Sequence, residues 1–211
     1  MDIKQKLSFE LRKTFIWDAY ERWRQNHVYS SWLASGKTIP TPHIVKRDVV
    51  KKYAKLFGLR VFVETGTYFG DMVNAVKDTF EEIHSIELSP ELCAKAKKRF
   101  KGLRHINIIE GDSGAILGSV LSHIDRPILF WLDGHYSAGI TAKGIMETPI
   151  QMELSLIAHF QSNLGSVILI DDAISFSGIG DYPKLESIKE WARISGYSQF
   201  EVEEGIIRIS R

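Results

Sequence analysis

At 211 residues, with 44% apolar and 25% charged side chains, the chain has the length for one domain with a substantial core and a small extension. Its formal net charge of +1 gives no electrostatic reason to expect nucleic acid or a strongly acidic partner. The single Cys93 excludes an internal disulfide and a cysteine-cluster metal site, and no apolar run approaches the ~18 residues of a membrane span.

In chain order, Ile3, Leu7, Leu11, Phe15, Tyr20 and Trp23 recur at helical spacing, with Lys4, Lys6, Arg12, Lys13, Arg22 and Arg24 between them. This predicts a helix over about Ile3–Arg24, packed on the main domain or on a second copy of the chain, with a lid over a pocket or contact with an anionic surface as alternatives. The two lysines near Met1 lack a continuous apolar segment behind them, so the stretch does not read as a secretory signal, and the cytoplasm is the expected location. His27–His43 reads as a linker, with Pro40-Thr41-Pro42 stopping any helix. Its Ser35-Gly36-Lys37-Thr38 ends like a phosphate-binding loop, but the upstream glycine and the preceding strand are both missing. Residues 1–43 are therefore expected to form a helical extension and linker, and 44–211 the main domain. Ile44–Phe57 reads as a helix capped by Gly58.

From Arg60 the pattern alternates. Strands are predicted at Arg60–Glu64, Glu82–Leu88, Ile106–Glu110, Ile128–Asp133 and Val167–Asp172, and helices at Asp71–Phe80, Pro90–Phe100, Ser113–Ser122, Glu147–Ser162 and Pro183–Ser195. Runs such as Ile128-Leu129-Phe130-Trp131-Leu132 are apolar on both faces, as in a parallel sheet covered by helices. Phe200–Glu203, Glu204-Gly205 and Ile206–Ile209 read as an antiparallel hairpin. The expected fold is α/β: a doubly wound, Rossmann-like sheet of five parallel strands with a C-terminal antiparallel hairpin.

Ligands of open α/β sheets bind beyond the carboxyl ends of the strands. Those ends carry Glu64, Glu87, Asp112, Asp133 and the pair Asp171-Asp172. One such acid would mean little, since carboxylates there often cap the next helix, as Asp112 could for Ser113. A row of them is harder to dismiss. Glu87 lies about twenty residues past the first turn, where a carboxylate takes ribose hydroxyls. The turn itself has only Gly66 and Gly70, with Glu64 before and Asp71 after, and two acids there would repel a pyrophosphate and suit a cationic group.

Val63-Glu64-Thr65-Gly66-Thr67-Tyr68-Phe69-Gly70, Ser85-Ile86-Glu87-Leu88, Glu110-Gly111-Asp112-Ser113 and Phe130-Trp131-Leu132-Asp133-Gly134-His135, in that order, resemble the successive motifs of class I S-adenosylmethionine-dependent methyltransferases. The resemblance runs from about Arg60 to the C-terminus. It implies that Glu64, Gly66 and Thr67 line the methionine end of S-adenosylmethionine, that Glu87 binds its ribose, and that Asp112 and Ser113 meet the adenine amino group. Leu88 and Ala115 would be apolar walls for the adenine. Asp133 with Asp171 and Asp172 looks like the Mg²⁺ site of catechol and sugar O-methyltransferases, an all-oxygen set in which the ion would chelate the acceptor. Asp171 and Asp172 are consecutive, so they converge only if the chain turns between them. His135 reads either as the general base beside Asp133 or as a loop histidine bonded to backbone. The polar loop Tyr136–Pro149 is expected to close over an acceptor.

The function these features imply is transfer of a methyl group from S-adenosylmethionine to an oxygen of a small polyhydroxylated acceptor such as a sugar. Asp133 and His135 would be the catalytic pair, with Mg²⁺ assistance if the three aspartates converge. No nucleic-acid partner or membrane span is expected, and the N-terminal helix is a candidate homo-oligomer contact. The alternatives are a scaffold protein that binds the cofactor without catalysis, and a nicotinamide or nucleotide-sugar enzyme on the same sheet.

Overall fold

The computed structural model describes residues 15–134, 148–161 and 163–211. The expected helix before Phe15, His135 and most of the loop Tyr136–Pro149 lie outside the described residues. Seven strands form one sheet in the order β3-β2-β1-β4-β5-β7-β6. They are β1 (Val61–Thr65), β2 (Glu82–Glu87), β3 (Ile106–Glu110), β4 (Ile128–Leu132), β5 (Val167–Ile170), β6 (Gln199–Glu203) and β7 (Ile206–Ser210). The first five are parallel, and β7 pairs antiparallel with both β5 and β6. The chain winds outward from β1 to β3, then crosses back to lay β4 on the other side of β1. That reversal opens a crevice at the carboxyl ends of β1 and β4.

Every residue of β1, β4, β5 and β7 is buried, because helices cover both faces. Alternate side chains serve opposite layers. Phe62, Leu129, Trp131 and Leu169 pack with Trp32, with Val49, Val50 and Tyr53 of α2 (His43–Phe57), with Val73 of α3 (Asp71–Val76) and with Cys93 of α4 (Pro90–Arg99). Val63, Phe130, Leu132, Ile168 and Ile170 pack with Leu117 of α5 (Ser113–Leu121), Leu154 and Ile157 of α6 (Ile150–Gln161) and Ile188 of α7 (Leu185–Ile194). Cys93 is a fully buried free thiol, filling its place as a small hydrophobe.

Register aligns the strand ends. Thr65 stands opposite Ile86 of β2 and Leu132 of β4, and Leu132 stands opposite Ile170 of β5. Glu87, Asp133 and Asp171 each follow one of these partners directly, so the acids share one rim of the sheet.

Three boundaries differ from expectation. The first helix, α1 (Phe15–Ala34), runs through the first part of the expected linker, because Trp32 there is buried in the core and donates its indole N–H to Thr38 O at 2.7 Å. Helix α3 stops at Val76, where the Thr79 amide turns back to Val76 O at 2.8 Å and delivers Phe80 onto Phe62, with ring centroids 5.0 Å apart. Pro183 lies before Lys184, the N-cap of α7, rather than in its first turn. The hairpin turn has Glu204 and Gly205 at φ 55° and 69°, the paired left-handed conformation that matches strand twist. The linker also anchors this turn, since Thr41 Oγ1 donates to Glu204 O at 2.5 Å. Among the described residues, no helix is long and apolar enough to cross a membrane.

Candidate active site

Strand β1 delivers the chain into the loop Gly66-Thr67-Tyr68-Phe69-Gly70, which feeds α3. Gly66 has φ 88°, and a Cβ built on it would overlap the carbonyl oxygen of Asp133. Here glycine is required because two backbones cross, independently of any phosphate. Gly70, at φ 75°, is the N-cap of α3. Tyr68 also takes a left-handed φ of 51°, a conformation costly for a non-glycine residue. It turns its amide onto Glu87 Oε2 at 2.7 Å, while Glu87 Oε1 accepts from Ser89 N at 2.9 Å. The Glu87 carboxylate is thus fixed at the end of β2, facing the first loop. Burial raises its pKa, and the two amides oppose that shift.

Glu64 is 2% exposed. Its carboxyl accepts from Ser85 Oγ, which in turn lies 2.6 Å from Thr67 Oγ1, making a relay from Thr67 through Ser85 to Glu64. Burial pushes Glu64 well above the ordinary carboxylate range, and Asp133, Glu87 and Asp71 push it further while Ser85 opposes. Asp71 is held differently from the sequence reading. Arg99 of α4 donates to Asp71 Oδ1 at 2.7 Å and to Phe69 O at 2.6 Å, so Asp71 closes the loop against α4. Of the two acids flanking this loop, Glu64 is therefore the one left for a ligand, and burial favours its protonated form until one arrives. Among the described residues no cation lies beside it, and a buried acid so placed fits a cationic ligand group.

At the end of β3, Asp112 N-caps α5, its Oδ1 accepting from Gly114 N at 2.8 Å. The Ser113 hydroxyl turns inward and donates to Glu153 Oε1 at 2.6 Å, so it is engaged in the interior. Leu88 is half-buried and Ala115 exposed. Glu153, from α6, is 1% exposed, and burial raises its pKa to about 7 against the Ser113 hydrogen bond. A Cβ on Gly134 would lie 3.1 Å from Thr65 Oγ1 and 3.3 Å from Glu153 Oε1, so this buried acid sits directly behind the end of β4.

The chain does turn between Asp171 and Asp172, for Asp172 has φ 51° and ψ 51°. Both carboxylates converge, but on an ammonium. Lys46 Nζ of α2 pairs with Asp171 Oδ2 and lies 3.8 Å from Asp172 Oδ1. Burial lowers the Lys46 pKa, but Asp171, Asp133 and Asp172 outweigh it and the net shift is upward, so the lysine stays charged. Burial, then Asp133, pushes Asp171 up to about 7 while Lys46 opposes, so the pair is a full ion pair only above neutral pH. Among the described residues no three His, Cys, Asp or Glu side chains form a metal-holding group. Asp133, Asp171 and Asp172 therefore do not fit Mg²⁺ as an open all-oxygen site: the Lys46 ammonium already occupies the ground between the pair.

Sequence reasoning missed four residues. Lys46 and His43 lie on α2, outside the strand-end motifs. The Nε2 of His43 is buried with no hydrogen-bond partner among the described residues, and burial lowers its pKa against the pull of Asp71. Arg99 gave no signal among the basic residues of α4. Glu153 did give one, a charge one position from Leu154 on the apolar stripe of α6.

No protein-family model matches the chain, and no curated protein matches it. Solved structures do. An O-methyltransferase from Bacillus cereus in complex with SAH superposes with TM-score 0.55 at 13% identity, covering 89% of this chain and 90% of that one. The SAH-bound methyltransferase PaMTH1 of Podospora anserina gives 0.52 at 15%, covering 86% of each chain. The O-methyltransferase TomG of Streptomyces achromogenes, involved in tomaymycin synthesis and in complex with SAM, gives 0.50 at 17%, covering 78% of this chain and 77% of that one. The chain has the Rossmann-like fold of class I methyltransferases.

Proposed function

We propose that this chain, built on the class I methyltransferase fold, transfers a methyl group from S-adenosylmethionine to an oxygen of a small polyhydroxylated acceptor such as a sugar. The observation that carries the reading is the fixed Glu87 carboxylate, set against the first loop by Tyr68 N at 2.7 Å, at the crevice where the sheet reverses. A carboxylate so held takes ribose hydroxyls, as the dinucleotide folds illustrate. Glu64 supports the methyl donor over a phosphate ligand, being a buried acid at the base of the loop with Ser85 as its hydrogen-bond partner. An ammonium arriving there would favour the ionised carboxylate and reverse the effect of burial.

Glu64, Gly66 and Thr67 would hold the methionine end, Glu87 the ribose, and Asp112 and Ser113 the adenine side. The donor supplies an electrophilic methyl group on a sulfonium. In this assignment Asp112 acts through its carboxylate beyond the α5 cap and Ser113 through its backbone. Asp133 and His135 serve the acceptor side, Asp133 orienting the hydroxyl and His135 taking its proton. Much of the acceleration comes from holding acceptor and donor in line. The single Cys93, buried and free, suits a reducing compartment such as the cytoplasm. Residues 1–43 are assigned as an extension to the domain at 44–211, with α1 as the candidate contact between copies.

The test is calorimetric titration with S-adenosylhomocysteine and with NAD, side by side. Saturable binding of the former, lost in Glu87→Ala, is the expected result. Binding of NAD alone would overturn the reading in favour of a nicotinamide enzyme.

A further inference from the structure

We propose that the Lys46 ammonium is the built-in cation of the acceptor edge, standing where a divalent ion would otherwise bind the strand-end aspartates. Three features carry this. First, both oxygens of Asp171 are committed: Oδ2 pairs with Lys46 Nζ, and Oδ1 accepts the Asp172 amide at 2.9 Å. Second, the left-handed turn at Asp172 brings the second carboxylate round to the same ammonium, 3.8 Å away. Third, Asp171 is buried and the Lys46 side chain is only 17% exposed, so water screens the pair poorly.

A divalent ion binds carboxylate oxygen at about 2.0–2.6 Å. To reach Asp171 Oδ2 it would have to occupy the ground the ammonium holds, and the two cations repel. Lys46 is also tethered. Helix α2 packs across the ends of β4 and β5, so its ammonium is present at an effective concentration that a dissolved ion must exceed.

For chemistry the exchange matters. A chelating ion requires two adjacent acceptor oxygens, whereas an ammonium offers directional N–H donors to one. The acceptor then needs a single hydroxyl near the Lys46–Asp171 pair. This consequence rests on the methyl transfer proposed above; the exclusion of divalent ions does not.

The experiment titrates chelator-treated protein with Mn²⁺, followed by electron paramagnetic resonance, while calorimetry with S-adenosylhomocysteine separately tests the cofactor reading. Wild type should bind no stoichiometric Mn²⁺ at millimolar concentration. Lys46→Met should acquire one site, with Mn²⁺ raising its Tm while leaving that of wild type unmoved. Lys46→Arg, which keeps the cation, should exclude Mn²⁺ as wild type does. Stoichiometric Mn²⁺ on wild type would overturn the proposal without requiring any variant to fold. So would a folded Lys46→Met that still binds none, because lysine would then not be what closes the site.

Discussion

Glu87 and Tyr68 hold each other in place: the left-handed backbone of Tyr68, φ 51°, aims its amide at Glu87 Oε2, 2.7 Å away. The strained turn and the carboxylate are one device. Glu87→Ala leaves the buried Ser89 amide without its acceptor, at roughly 1–3 kcal/mol, and the part-buried Tyr68 amide at less. The first loop should loosen, and affinity for S-adenosylhomocysteine should fall at least about tenfold, some 1.4 kcal/mol. Calorimetry and urea unfolding on the same variant read the two effects. Unchanged affinity would remove Glu87 from the ribose site.

Gly66 and Gly58 separate steric from conformational cost. Both have positive φ, 88° and 65°, yet a Cβ at Gly58 meets nothing within 4 Å while one at Gly66 runs into the Asp133 backbone. Gly58→Ala should cost about 1 kcal/mol, the left-handed penalty alone. Gly66→Ala should cost on the order of 3 kcal/mol, since backbone cannot swing aside, and should also abolish cofactor binding. Equal costs in urea unfolding would show that β1 and β4 tolerate separation at their ends.

The Lys46–Asp171 pair should behave as a buried ion pair. Asp171→Leu strands the Lys46 ammonium in the interior, at about 3–5 kcal/mol; Lys46→Met costs less, because the Asp171 carboxyl left behind, already pushed up to about 7 by burial, takes a proton. The double variant should recover most of that loss, because two apolar side chains of similar volume replace two desolvated ions. Purely additive losses in the cycle would mean the pair is solvated and the charges independent.

The sheet was legible because β4 and β5 are continuous apolar runs, β1 opens on Val61-Phe62-Val63, and their ends carry punctuation that ordinary turn chemistry explains. The turn that convergence of Asp171 and Asp172 requires is present, in the left-handed backbone of Asp172. What the strand ends could not announce was the other half of each contact. Asp71 reads as a charge facing a ligand until Arg99, 28 positions on, is seen to hold it. The aspartate pair reads as a metal site until Lys46, 125 positions earlier, fills it. Such partners come from helices packed across the sheet, and helical periodicity shows which residues are apolar without showing where a lysine on the flank will reach. Ser113 illustrates the same gap: its place beside Asp112 is local, whereas its hydroxyl partner, Glu153, is tertiary.

Glu153 makes the last prediction, about pH. Its carboxyl is buried behind Gly134 with pKa about 7, against 4.5 for an ordinary glutamate. Between those values the folded protein keeps a proton that the unfolded chain has released. Stability therefore falls as pH rises through that window and is flat for this group above it, a loss of about 3 kcal/mol in all. Glu64 is shifted in the same direction and adds to the slope. Glu153→Gln keeps an oxygen for the Ser113 hydroxyl but has no proton to lose. Urea unfolding at about pH 5 and about pH 8 should show wild type losing stability between them and the variant losing less, so that the variant is the more stable protein at the higher pH. A variant with the wild-type slope would mean that Glu153 is ionised in the fold, with a cation or water beside it that lowers its pKa.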